Sequence, residues 1–143
     1  MTGYETILGV ALAALQSPTP VADQVRRAHK TPIPRELDGV DMGVAVRLID
    51  GTDAPVAGSN CGDRECSFTT SIFVRGDDGV ALADPYRIAI FARFEAAAWP
   101  DNVSVASGRI SVDEDLADED ASRVDIEWSA KYSARGLWDL ELG

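Results

Sequence analysis

Arg123-Val124-Asp125-Ile126-Glu127-Trp128-Ser129-Ala130-Lys131-Tyr132-Ser133-Ala134-Arg135 alternates apolar and polar without a break. Val124, Ile126, Trp128, Ala130, Tyr132 and Ala134 share one face, while Arg123, Asp125, Glu127, Ser129, Lys131, Ser133 and Arg135 share the other. Side chains of a strand alternate with period two, so this segment predicts a strand with one dry face and one wet face. That arrangement belongs to an antiparallel sheet. The rest of the chain must supply its neighbours and a cover for the dry face.

Just before it stands Asp113-Glu114-Asp115-Leu116-Ala117-Asp118-Glu119-Asp120, with six carboxylates in eight residues. Such a run repels itself and will not pack, so a solvated loop over 113–120 is expected. It fails as a calcium loop, because counting from Asp113 puts Ala117 at the fifth ligand position and Asp118 where the turn glycine belongs. Further upstream, Val103, Val105, Ile110 and Val112 predict a short strand with Gly108 as a bulge or turn.

Asp84-Pro85 reads as an N-cap followed by proline at the first helical position, and Pro100 ends the helix after Trp99. Tyr86, Ile90, Phe91, Phe94, Ala97 and Ala98 make one broad apolar arc, on which Arg87 intrudes. Ile88, Ala92 and Trp99 make a narrower stripe on the far side, interrupted by Glu95. A loop of the same chain or a neighbouring subunit would cover that second stripe.

Three more strands and a helix come earlier. Phe68, Thr70, Ile72 and Val74 alternate with Thr69, Ser71 and Phe73, and the strand ends at the turn signal Gly76-Asp77-Asp78-Gly79. Met42, Val44, Val46 and Leu48 alternate with Gly43, Ala45 and Arg47, which predicts a half-buried strand. Between these two strands, a stretch rich in Gly, Asp, Pro and Ser predicts a long loop 50–66. Residues 21–33, with Pro32 and Pro34 at their end, suit an edge strand. The opening segment carries Tyr4, Ile7, Leu8, Ala11, Leu12 and Leu15 on one helical stripe, with Thr2 and Glu5 at capping-box spacing and Pro18 as a stop. The expected fold is α+β in the order αβββαββ: a mainly antiparallel sheet of four to five strands on two helices, one domain over residues 1–143.

Composition narrows the function classes. The chain has 143 residues, 45% of them hydrophobic and 26% charged, which argues for a folded domain against a disordered one. Its formal charge is −11, and residues 76–143 hold 6 basic against 15 acidic groups. So negative a chain is poorly suited to gripping a phosphate backbone. The apolar run Ile7 to Leu15 is too short to span a membrane, and no Lys or Arg precedes it as in a signal peptide. Cys61, Cys66 and the single His29 do not complete a zinc site, and the two cysteines read as reduced thiols. There is no phosphate loop, nucleophile elbow or paired-His motif. His29 sits among Arg26, Arg27 and Lys30 without a sequence-local carboxylate to orient it. The residues argue against an enzyme and imply no cofactor or metal.

The opening helix through Leu15, the Met42–Leu48 and Phe68–Val74 strands, the Asp84–Trp99 helix and the acidic loop feeding Arg123–Arg135 resemble, in order and texture, the tail terminator family of long-tailed bacteriophages, the minor tail protein U type. The resemblance covers nearly the whole chain as a pattern of elements, and no signature residue carries it. The two-cysteine loop departs from it. It implies a non-enzymatic assembly protein: a homohexameric ring that caps the tail tube, stops its polymerisation and joins it to the head connector protein. Its place would be the head-proximal end of the virion tail, after assembly in the host cytoplasm. On that view Asp113, Glu114, Asp115, Asp118, Glu119 and Asp120 face a channel and repel passing DNA. Arg26, Arg27, Lys30, Arg35, Ile88, Ala92 and Trp99 would contact the next subunit or the tube protein. A head-side stopper and a stand-alone acidic DNA mimic are the alternatives.

Overall fold

A computed structural model describes residues 3–28, 44–56, 63–75, 78–100, 103–113 and 121–133. The elements are α1 (Gly3–Gln16), β1 (Gln24–Ala28), β2 (Ala45–Pro55), β3 (Asp63–Arg75), α2 (Gly79–Ala96), β4 (Ser104–Asp113) and β5 (Ala121–Ser133). The expected order αβββαββ is present. The five strands form one sheet in the order β1-β2-β3-β5-β4. Every pair is antiparallel except β1 with β2, which is parallel and makes the sheet mixed. β5 inserts between β3 and β4, so the β3-α2-β4 unit is split by a strand that follows it in sequence.

Both helices lie on one face of this sheet. α1 places Ile7, Leu8, Ala11 and Leu15 over β1 and β2, and α2 places Ala83, Ile90 and Phe94 over β3 and β5. Beneath them the inward set of β5 is buried from Val124 to Tyr132, as its alternation predicts, whereas Glu127 and Lys131 are exposed. Ala134 and Arg135 lie outside the described residues. The core centres on aromatic rings. The Phe94 ring stands edge-on to Trp128 at 4.7 Å and to Phe68 at 6.0 Å, and Phe91 meets Trp128 at 5.0 Å. Buried Trp128 donates its Nε1–H to Thr70 Oγ1 at 3.0 Å, so the one polar atom of the indole is satisfied.

Two arginines fasten the helices. Arg93 of α2 points its Nη1 at the carbonyl oxygens of Ala14, Leu15, Ser17 and Thr19, the acceptors at and beyond the end of α1 (3.3, 3.2, 3.2 and 2.5 Å). A cation there satisfies carbonyls that have no partner in the helix and opposes the negative end of its dipole. At the other end of α1, Arg27 of β1 donates to both Glu5 oxygens (2.7 and 2.9 Å) and both Asp50 oxygens (3.0 Å each). Glu5 thus binds Arg27, and Thr2, the other half of the expected capping box, lies outside the described residues.

Three sequence expectations need correction. The stretch 50–66 is not one loop: β2 continues to Pro55 and β3 begins at Asp63, with only 57–62 between the described ends. Its turn-rich composition serves a register shift between Asp50 and Asp53. A Cβ on Gly51 would collide with the Ser67 side chain and carbonyl, so glycine lets the strands close. Tyr4 staples the bulge, accepting from Gly51 N–H at 2.7 Å and donating to the Ser67 carbonyl at 2.8 Å. α2 starts at Gly79 rather than Asp84. Asp78 is the N-cap, accepting from Ala81 N–H at 3.2 Å, and Asp84 instead holds Arg87. Finally, Ala45 and Arg47 are buried, as is Phe73 opposite Ala45, so the sheet is not wet across its whole second face.

Contrasting substitutions on α2 check this packing. Phe94→Ala should lower the unfolding free energy by about 3–5 kcal/mol. Ile88→Ala, on the exposed side of the same helix, should stay within about 0.5 kcal/mol of the parent protein in urea titrations.

Candidate interaction surface

The sequence-selected surface residues fall in several places. Arg26 and Arg27 lie on β1, a sheet edge as expected, but alternation sends them to opposite faces. Arg27 is half-buried in its two-carboxylate clamp, while Arg26 is exposed. Lys30 and Arg35 lie outside the described residues. Asp113 is the last residue of β4, opposite Arg123 in register, so the strand takes the first residue of the expected acidic loop. Glu114, Asp115, Asp118, Glu119 and Asp120 lie outside the described residues. Ile88 and Ala92 are exposed, whereas Trp99 turns to the core: it meets the Phe94 ring at 5.7 Å and donates to the Phe94 carbonyl at 2.8 Å. The far-side stripe of α2 therefore splits, leaving Ile88 and Ala92 at the surface.

A different apolar surface forms at the other edge of the sheet. The large hydrophobic side chains most exposed among the described residues are Val80 (51%), Ile88 (58%), Ile110 (43%) and Val112 (45%). Three of them, Val80, Ile110 and Val112, meet in a groove of about 200 Å³ floored by Ala83 and Val124 and rimmed by Asp84 and Arg87. Its cause is the placement of α2. The helix begins over the start of β5, so close that a Cβ on Gly79 would strike the Ser122 side chain. Its first turns therefore leave the neighbouring edge strand uncovered. Ile110 and Val112 pair with Ile126 and Val124 and look to the helix side, but nothing of α2 reaches fully over them. Arg87, which intrudes on the apolar arc in sequence, pairs with Asp84 at 2.6 Å on the rim of this groove. The sequence shows the alternation of β4 but not that β4 is an edge. That depends on β5 inserting between β3 and β4.

The described residues offer little chemistry of the catalytic kind. Cys66 is a buried free cysteine. Burial, followed by the charge of Asp53, pushes its thiol up to about 12, so it is protonated and a poor nucleophile at neutral pH. Asp53 is itself engaged, accepting from Tyr132 Oη at 2.6 Å and Arg64 Nε at 3.2 Å. Burial also raises the pKa values of Tyr4 and Tyr132. His29 and Cys61 lie outside the described residues. Among the described residues no group of three His, Cys, Asp or Glu side chains is placed to hold a metal, and no helix is long and apolar enough to cross a membrane.

No protein-family profile and no curated protein sequence matches this chain. Among solved structures, the fold is similar to that of a chain in the virion of a native gene transfer agent (GTA) particle. The TM-score is 0.59 at 15% identity, over 88% of this chain and 93% of that one.

The state of Cys66 has two measurable consequences. Iodoacetamide at pH 8 should leave it unmodified in the folded protein, as read by peptide mass, and label it after denaturation. A thiol whose pKa rises on folding stabilises the fold fully below its unfolded value of 9.0 and loses that contribution toward about 12. Stability should therefore fall between those pH values, with Tyr4 and Tyr132 acting in the same direction, and Cys66→Ala should flatten part of the fall.

Proposed function

We propose that this protein is a non-enzymatic structural subunit of a phage-like virion. In the finer reading it forms a ring, six copies around, that caps the tail tube, ends tube growth and joins the tail to the head connector. The observation that carries the reading is the concentration of exposed apolar side chains at one open sheet edge. Soluble single chains rarely leave such a patch, and a subunit that works in an assembly has a use for it. The shared fold with a virion chain of a gene transfer agent supports the same direction.

Charge supports it as well. The run from Asp113 to Asp120 would give a ring of repeated subunits a strongly negative lining. A duct for DNA is better served by repulsion than by binding, since phosphate contacts would hold the passing strand. In this reading Arg26, Lys30 and Arg35 would meet a neighbouring subunit or the tube protein, whereas Arg27 is held by Glu5 and Asp50.

The test is assembly on tail tubes. Purified protein mixed with polymerising tube protein should arrest tube growth and appear by electron microscopy as a ring at one tube end. Binding to the head connector and not to tubes would favour a head-side stopper, and binding to neither would remove the virion reading. Replacing Asp113, Glu114, Asp115, Asp118, Glu119 and Asp120 by Asn or Gln should preserve the fold and tube capping while reducing DNA passage, read as loss of infectivity.

A further inference from the structure

We infer that β4 pairs with β4 of a second copy of this chain, antiparallel and centred on Ser111, when the protein is free in solution. β4 is hydrogen-bonded to β5 on one side, and among the described residues no strand pairs with its other side. From Ser104 to Val112 only Val105 and Ser111 are even half-buried, so the edge is exposed along its length. Natural edge strands are shielded by prolines, lysines or shortness. β4 has ten residues, no Pro and no Lys, and its bulge lies between Ser107 and Ile110, before the segment in question. β1, at the opposite edge, has five residues, two of them arginines.

The segment after the bulge is complementary to itself. Its sequence is Arg109-Ile110-Ser111-Val112-Asp113. An antiparallel pairing about a two-fold axis at Ser111 sets Arg109 opposite Asp113, Ile110 opposite Val112 and Ser111 opposite Ser111. Each relation occurs once from each copy, apart from the central pair on the axis. Opposite charges and apolar partners directly across a strand pair are the favourable combinations. Moving the centre by one residue sets Ile110 opposite Glu114 or Arg109 opposite Ser111, so only the centre at Ser111 matches charge with charge and apolar with apolar at every position from Arg109 to Asp113. The axis runs perpendicular to the sheet, which keeps the helices of both copies on the same side. The two grooves lined by Val80, Ile110 and Val112 then adjoin along the seam and bury each other's apolar walls. An isologous contact of this kind closes at two copies.

The pairing goes beyond the ring reading. Six subunits set head to tail around one axis have no two-fold axis between neighbours, so the paired form belongs to the protein off the tube. It shields the unprotected edge until assembly.

Light scattering and a cross-link test it on the full chain. Wild type should have twice the mass of the 15.3 kDa chain. Arg109→Asp, at an exposed side chain, and Asp113→Arg should each weaken dimerisation at least tenfold, and the double exchange should restore it. Ser111→Cys should give a disulfide-linked dimer under mild oxidation that the parent protein does not form, because the introduced thiols face each other across the axis. Circular dichroism melts confirm that each variant is folded. A monomeric wild type, single reversals without effect, or a folded double exchange that stays monomeric would overturn the pairing. So would failure of Ser111→Cys to cross-link. A wild-type hexamer indifferent to these substitutions would overturn the pairing and leave the ring reading standing. Intact pairing in a protein that ignores tail tubes would do the reverse.

Discussion

The constraint on which the rest depends is the stacking of α2 on Trp128. Trp128 lies on β5, which pairs with both β3 and β4, and its ring meets those of Phe68, Phe91 and Phe94 within 6.5 Å. Aromatic pairs bury a large area and prefer edge-on or offset geometry, so they define position as well as supplying attraction. With the indole N–H bound to Thr70, the cluster leaves the helix one seat over β3 and β5. That seat also determines what α2 cannot cover. The helix lies to one side of β4, and Ile110 and Val112 are left half-open as a consequence of where the aromatic rings sit.

α1 is held differently. Its apolar stripe packs over β1 and β2, but its two ends are fixed by cations: Arg27 between Glu5 and Asp50, and Arg93 among four carbonyl oxygens. In a chain of net charge −11 these arginines hold the fold together from within. These two arginines and the carboxylates of Glu5 and Asp50 cancel in charge, so the rest of the chain keeps the whole net charge of −11. Tyr4 adds a third tether by inserting its hydroxyl into the bulge of β2, so the start of α1 and the irregular part of the hairpin depend on each other.

The two edges of the sheet are chemically unlike. β1 is short, basic and partly tied to α1, whereas β4 is long, balanced in charge between Arg109 and Asp113, and backed by an apolar groove. Such unlike edges suit the head-to-tail ring proposed above, in which each copy meets its neighbour through two different surfaces. In the proposed pairing, β4 is covered by a second copy when no such neighbour is present.

The elements and their periods were legible from sequence because they rest on local rules. The unbroken alternation from Arg123 to Ser133, the stripe of α1 and the bulge at Gly108 all appear where side-chain spacing puts them. What local rules misjudged were residues whose composition suits turns but whose tertiary setting does not. Gly51 sits in a bulged strand because Tyr4 holds it there, Asp53 because Tyr132 and Arg64 do, and α2 begins at Gly79, capped by Asp78, because Gly79 fits against Ser122. The surface was less legible still. The expected helical stripe Ile88, Ala92 and Trp99 is cut because α2 ends at Ala96 and the extended Ala97 cap turns the chain, so that Trp99 reaches back to Phe94. Sequence by itself determined which residues form strands and helices and which of their sides are apolar. Only the tertiary structure decided that β5 takes the place beside β3 and leaves β4 at the edge, because strand order follows from long-range pairing that no local spacing encodes.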